Sequence, residues 1–111
     1  MLREQKVAAV EAYLECFKTK DLSKVPLAEN VTFEGPLVGT LTGRHTVADF
    51  LQSILPMVKG VRVKQHIVEG DYVATVFDME TVKGVDHVFD RIHVVGGEIK
   101  AIHAFYYPKS V

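Results

Sequence analysis

The sequence carries almost no excess of charge: thirteen Lys and Arg stand against fourteen Asp and Glu, a formal net charge of −1. Nucleic acid is held largely through a basic footprint over phosphates, so the strongest signature of that function is missing. A single cysteine, Cys16, excludes an internal disulfide and fits a reducing, cytoplasmic setting. No apolar run approaches the ~18 residues of a membrane span. The opening Met-Leu-Arg-Glu-Gln-Lys lacks the apolar segment of a secretory signal. There is no internal repeat, low-complexity tract or linker rich in Pro, Gly or Ser. The 111 residues, 48% apolar with mean hydropathy +0.12, are therefore expected to form one domain spanning 1–111.

Apolar periodicity changes once along the chain. Val7, Val10, Leu14 and Phe17 recur at helical spacing, with Tyr13 on the same face and Glu4, Glu11, Glu15 and Lys18 opposite. Asp21 is placed to cap a short second helical turn, limited by Pro26. Val31-Thr32-Phe33-Glu34 reads as a strand ending at Gly35-Pro36, followed by a loop containing Gly39 and Gly43. Val47, Phe50, Leu51, Ile54, Leu55 and Val58 then predict a second helix closing at Gly60. Beyond it the pattern becomes strand-like over 61–68, 72–82, 85–95 and 99–107. The breaks, Glu69-Gly70-Asp71, Lys83-Gly84 and Gly96-Gly97, are tight-turn chemistry that joins antiparallel neighbours. Helices first and a strand meander second make an α+β fold, with the helices on one face of a curved sheet.

The last hairpin allows a register argument. A Gly96-Gly97 turn sets Val94 opposite Ile99 and Ile92 opposite Ala101, and a regular ladder then places Asp90 opposite His103. Directly opposed residues share a face. Val88, Asp90, Ile92 and Val94 are thus expected to face the core beside Ile99, Ala101, His103, Phe105 and Tyr107, with His87, Arg91, His93, Lys100 and Tyr106 outside. A buried Asp–His pair relieves the cost of an isolated carboxylate and makes an oriented general base. Tyr13 projects toward the same sheet and can add a hydrogen bond. The same three groups also make sense as a satisfied polar network with no chemical role.

These features resemble the nuclear transport factor 2-like superfamily, a cone-shaped α+β group that includes SnoaL-like cyclases and ketosteroid isomerases. The resemblance spans nearly the whole chain. It rests on Ala12-Tyr13-Leu14 with Lys20-Asp21-Leu22, on Val31 to Pro36 with Gly39 and Gly43, and on Phe89-Asp90-Arg91-Ile92 before the Gly96-Gly97 turn. It implies a strongly curved, mostly antiparallel sheet closing into a cone. Against a ketosteroid isomerase, Tyr13 falls at the oxyanion-stabilising tyrosine and Asp90 at the protonated aspartic acid. The general-base position is Gly35, with Glu34 pointing to the other face. His103 falls at an apolar pocket position, an arrangement similar to the His–Asp eliminations of scytalone dehydratase-like members.

The resemblance further implies a cone that binds a small apolar molecule against Phe17, Phe33, Phe50, Ile54, Phe77, Val88, Ile92 and Phe105, without a cofactor. It also implies a homodimer through the outer sheet face, where Ala74, Val76, Phe89, Val95, Ile102 and Tyr106 mix with Arg91, His93 and Asp78. His45, His66, His87 and His93 lack metal-ligand spacing, so no metal site is expected. Cys16, beside Phe17, reads as a packing residue. Two functions are expected on these grounds. The first is an isomerase- or lyase-like enzyme transferring protons on an apolar carbonyl compound, with Tyr13, Asp90 and His103 as catalytic residues. The second is a non-catalytic ligand-binding or dimeric module of the same fold. An open pocket of several hundred Å³ with polar groups converging at its base favours the first, and a filled or sealed core with no water-accessible cavity at Asp90 the second.

Overall fold

The helical stripe near the N-terminus packs against the sheet as its spacing predicts. In a computed structural model describing residues 2–108, α1 (Arg3–Thr19) buries Ala9, Val10, Tyr13, Leu14, Cys16 and Phe17 there. Its end is fixed by Lys20, whose left-handed backbone (φ 64°) returns its N–H to the Cys16 carbonyl at 2.8 Å. The Lys20 Nζ then donates to the carbonyls of Leu55 (2.8 Å) and Val58 (2.5 Å), tying the helix end to a distant segment. Asp21 does make a cap, but as a side-chain turn that accepts from the Ser23 N–H at 2.9 Å, with no second helix.

The strand at Val31 is longer than the alternation suggested: β1 covers Leu27–Gly35. The glycine-containing loop after it forms β2 (Gly39–Thr42), an antiparallel hairpin partner with Gly35 opposite Gly39. Gly43, at φ 100°, turns the chain into α2 (Arg44–Ile54). This helix stops short of Gly60. Pro56 cannot donate to the helical ladder, so Leu55–Met57 tighten into a 3-10 turn and Val58 and Gly60 already lie in β3 (Val58–Glu69). The meander is completed by β4 (Tyr72–Thr81), β5 (Gly84–Val95) and β6 (Glu98–Phe105).

The six strands form one sheet in the order β2-β1-β6-β5-β4-β3, with β1 and β6 parallel and every other pair antiparallel. The ladder slips where β3 gains Lys59 and Lys64 and where β6 gains Lys100. Bulges of this kind bend and twist a strand, and these curl the sheet around the two helices. The core fills the concave side, with Phe17, Phe77, Leu51, Ile92, Ile99 and Ile102 fully enclosed. No helix among the described residues is long and apolar enough to cross a membrane.

The Lys100 bulge changes the face of half a strand. Val94 still faces Ile99, but beyond the bulge His93 pairs with Ala101, Arg91 with His103 and Asp90 with Ala104. A one-residue slip moves every later side chain to the other face. Ile102, Ala104 and Tyr106 therefore point inward, and Ala101, His103, Phe105 and Tyr107 leave the face expected for them.

Candidate ligand site around Tyr13 and Asp90

Strand β5 presents Asp86, Val88, Asp90, Ile92 and Val94 to the concave side in simple alternation. Asp90 is 1% exposed, and its Oδ1 is buried with no hydrogen-bond partner among the described residues. Directly across on β4, the Thr75 hydroxyl is equally enclosed and unpartnered. Burial disfavours the charged carboxylate and pushes Asp90 up to about 8, so at neutral pH it is chiefly a carboxylic acid with a proton to donate. Tyr13, from the middle of α1, is 3% exposed. Burial first, then the proximity of Asp90, Cys16 and Tyr106, raises its phenol well above the usual range. It too stays protonated. Its ring meets Phe17 edge-on at 5.4 Å, which holds it in place.

These two hydroxyl donors border a cavity of about 60 Å³ whose other walls include Phe17, Phe33, Phe50, Ile54, Phe77 and Val88. The Phe33 and Phe50 rings meet at 5.0 Å and join the sheet wall to the helix wall. Six of the eight expected ligand-contacting residues thus line the cone. Ile92 does not, because it is wholly enclosed deeper in the core. Phe105 does not, because the Lys100 bulge turns it to the convex side, where it is 46% exposed.

The same bulge separates His103 from Asp90. His103 stacks on Phe105 at 4.0 Å and approaches Glu34 Oε2 at 3.4 Å. That pair borders an open outer groove of about 620 Å³ shared with His87, Pro36 and Tyr107. The expected Asp–His dyad therefore does not form, and Tyr13 and Asp90 stand without it. Gly35 supplies no replacement: a Cβ there would point to the concave side, 3.1 Å from Phe33 Cε1 and 3.8 Å from the Ala104 methyl.

Four lining residues escaped the pattern of alternation and helical spacing: Met79, Asp86, Ala104 and Tyr106. Ala104 and Tyr106 were hidden by the bulge. Asp86 needed only that the alternation of Val88 and Asp90 be extended by one step. Asp86, Tyr106, Ile54 and Met79 also border a second, outer cavity of about 160 Å³ with Leu37, Met57 and Val82, so the inner space has a wider antechamber. The half-buried Tyr106 phenol is raised by burial and by nearby Asp86 and Asp90. Cys16, pushed up to about 12 mainly by burial, remains an unreactive thiol in the core.

Comparison with known proteins places this geometry. No functionally curated protein matches the sequence. An uncharacterised protein with a cystatin-like fold from Silicibacter pomeroyi superposes with TM-score 0.77 at 26% identity, covering 90% of this chain and 74% of that one. An NTF2-like protein of unknown function from Cytophaga hutchinsonii gives 0.79 at 22% identity, with 95% and 92% covered. A steroid delta-isomerase from Pseudomonas aeruginosa gives 0.79 at 19% identity, with 98% and 84% covered. The fold is thus the nuclear transport factor 2-like, cystatin-like cone, and with a family model matching residues 1–111 the chain belongs to the family of the domain of unknown function DUF4904.

Proposed function

We propose that this protein binds a small apolar molecule inside the cone and holds it by one acceptor oxygen, a carbonyl or its equivalent, between Tyr13 and Asp90. The observation that carries the reading is the unpartnered Asp90 Oδ1 beside an apolar cavity. A buried carboxyl without a partner is costly unless something supplies one. A neutral acid and a neutral phenol together offer two hydrogen bonds to an oxygen, and they disfavour a carboxylate ligand less than two anions would. The apolar walls supply the remaining affinity without fixing ligand identity.

Binding is favoured over proton-transfer catalysis by distance. Enolising a carbonyl held at Asp90 requires a base within hydrogen-bond reach of the adjacent carbon. His103 lies on the convex face, Gly35 has no side chain, and Asp86 stands four residues along the strand, about 13 Å at ~3.3 Å per residue. The steroid delta-isomerase neighbour supports the cone as a container for such ligands.

The reading is tested with para-acetylbiphenyl, a flat apolar ketone with one acceptor oxygen, by calorimetric titration. Tyr13→Phe should weaken binding about tenfold and Asp90→Leu at least as much, each with an unchanged circular dichroism spectrum. Equal affinity in all three proteins, or no binding to the wild type, overturns it.

A homodimer through the convex face belongs to the same proposal. Phe89 and Phe105 are 41% and 46% exposed there and meet edge-on at 6.2 Å. Around them Arg91 lies 3.9 Å over the Tyr72 ring, which stacks on His93 at 4.5 Å. Aromatic and Arg side chains gathered on one sheet face are the composition of an interface centre.

A further inference from the structure

Asp86 is used by neither the fold nor the oxygen-binding pair. It belongs to a strand half-open to solvent, yet its Oδ1 is buried and has no hydrogen-bond partner among the described residues. The facing β4 residue is Met79, which can offer it nothing. It borders both the inner cavity and the antechamber, so it stands at the neck between them. Around it are Ile54, Met57, Met79 and Val82, together with the Tyr106 ring, while Thr81 and Lys83 border the antechamber farther out. An acceptor oxygen buried where two mostly apolar cavities meet, unpartnered among the described residues, is a recognition group awaiting a ligand atom.

We propose that Asp86 selects ligands carrying a hydrogen-bond donor, a hydroxyl or an amine, at the end opposite the oxygen held by Tyr13 and Asp90. The inference rests on the reading of the cone as a carbonyl-binding site and adds the second end of the ligand. The two acids are on the same face of β5 four residues apart, so their backbone positions differ by about 13 Å. Val88 lies between them and keeps the middle of the tunnel apolar. The matching ligand is rigid, flat and about two aromatic rings long, held only by the inner cavity of about 60 Å³ and the antechamber of about 160 Å³ together, with an acceptor at its inner end and a donor at its outer end. The protein favours one polarity: the acid and the phenol inside carry two O–H donors, and the buried Asp86 Oδ1 at the neck is an acceptor. A ligand entered the wrong way round would set its carbonyl against the Asp86 Oδ1, acceptor against acceptor, and leave that oxygen unpaired.

The test compares para-acetylbiphenyl with its para′-hydroxy derivative, which differs only by a donor at the far end. Wild-type protein should bind the hydroxy ketone about tenfold tighter than the parent. In Asp86→Val that preference should vanish while the parent ketone keeps its affinity within about twofold, and Asp86→Asn, which retains an acceptor oxygen, should keep part of it. Equal binding of the two ketones by the wild type, or a preference that survives in Asp86→Val, overturns the role of Asp86 and leaves the inner oxygen site standing. Failure of the wild type to bind either ketone removes the cone reading itself.

Discussion

Asp90 holds its proton at neutral pH because burial disfavours the charged form and none of the described residues pairs with it, and that has a thermodynamic signature. Its carboxyl is raised from 3.8 to about 8 by burial. Below the lower value both folded and unfolded chains are protonated and the group is neutral toward stability. Between the two, only the folded chain holds the proton, so raising the pH draws the equilibrium toward the unfolded state by about 1.4 kcal/mol per unit. Asp21 and Asp78 behave oppositely. A backbone hydrogen bond from Ser23 and a side-chain bond from His87 hold them below the ordinary range, so their contributions are complete above it and are lost only as pH falls further. Urea unfolding should therefore show wild-type stability declining between about pH 5 and about pH 8 relative to Asp90→Asn. A constant difference across that range would mean that Asp90 is already ionised. The identities of Tyr13 and Asp90 as buried, inward-facing polar groups were legible in the sequence, because helical spacing and strand alternation each fix one face. The absence of an ion-pair partner for Asp90 was not, because it depends on a register that alternation alone does not set.

At the scale of elements, the decisive feature is one extra residue in β6. The turn at Gly96-Gly97 correctly sets Val94 against Ile99, but Lys100 then bulges and the ladder resumes one step out of phase. Nothing in the local pattern announces it: Ile99, Ala101, His103 and Phe105 alternate as well as Ile102, Ala104 and Tyr106 do. What decides is volume and polarity on the concave side. The bulge buries Ile102 and Ala104 and keeps an imidazole and a phenyl ring at the surface. Inserting one alanine after Lys100 should put the rest of β6 a further step out of phase, drive His103 and Phe105 into the core and expel Ile102. Exposing a buried Ile and enclosing an unpaired imidazole together cost several kcal/mol, about 3 or more. The urea midpoint should fall accordingly, or the chain should fail to fold; an unchanged midpoint would contradict the role given to the bulge. The second helix shows the same limit in milder form. Its apolar spacing runs on through Leu55 and Val58, and only Pro56 marks where the helix tightens and the first long strand begins.

For the whole molecule, one sheet serves two surfaces. Its concave side encloses a donor-lined cavity, and its convex side carries an exposed aromatic cluster centred on Phe89 and Phe105. If two copies meet on that cluster, the folded state is stabilised by association and its thermal midpoint rises with protein concentration. Sedimentation equilibrium should give a dimer for the wild type and a monomer for Phe105→Glu, with the ketone affinity of the cone retained; a monomeric wild type at all concentrations would contradict the assembly. Helices on one face of a curved sheet were legible from element order and turn chemistry, and the cone from the family resemblance. The division of apolar residues between cavity and outer face was legible only as far as Lys100, which is why Phe105 and Tyr106 exchanged roles. The central claim is that two neutral donors grip one oxygen within the cone. The carbonyl stretching frequency of bound para-acetylbiphenyl reads that grip directly. It should lie below its value in an apolar solvent and move back part of the way in Tyr13→Phe, whereas a bound ketone whose carbonyl vibrates as it does in hydrocarbon would contradict the claim.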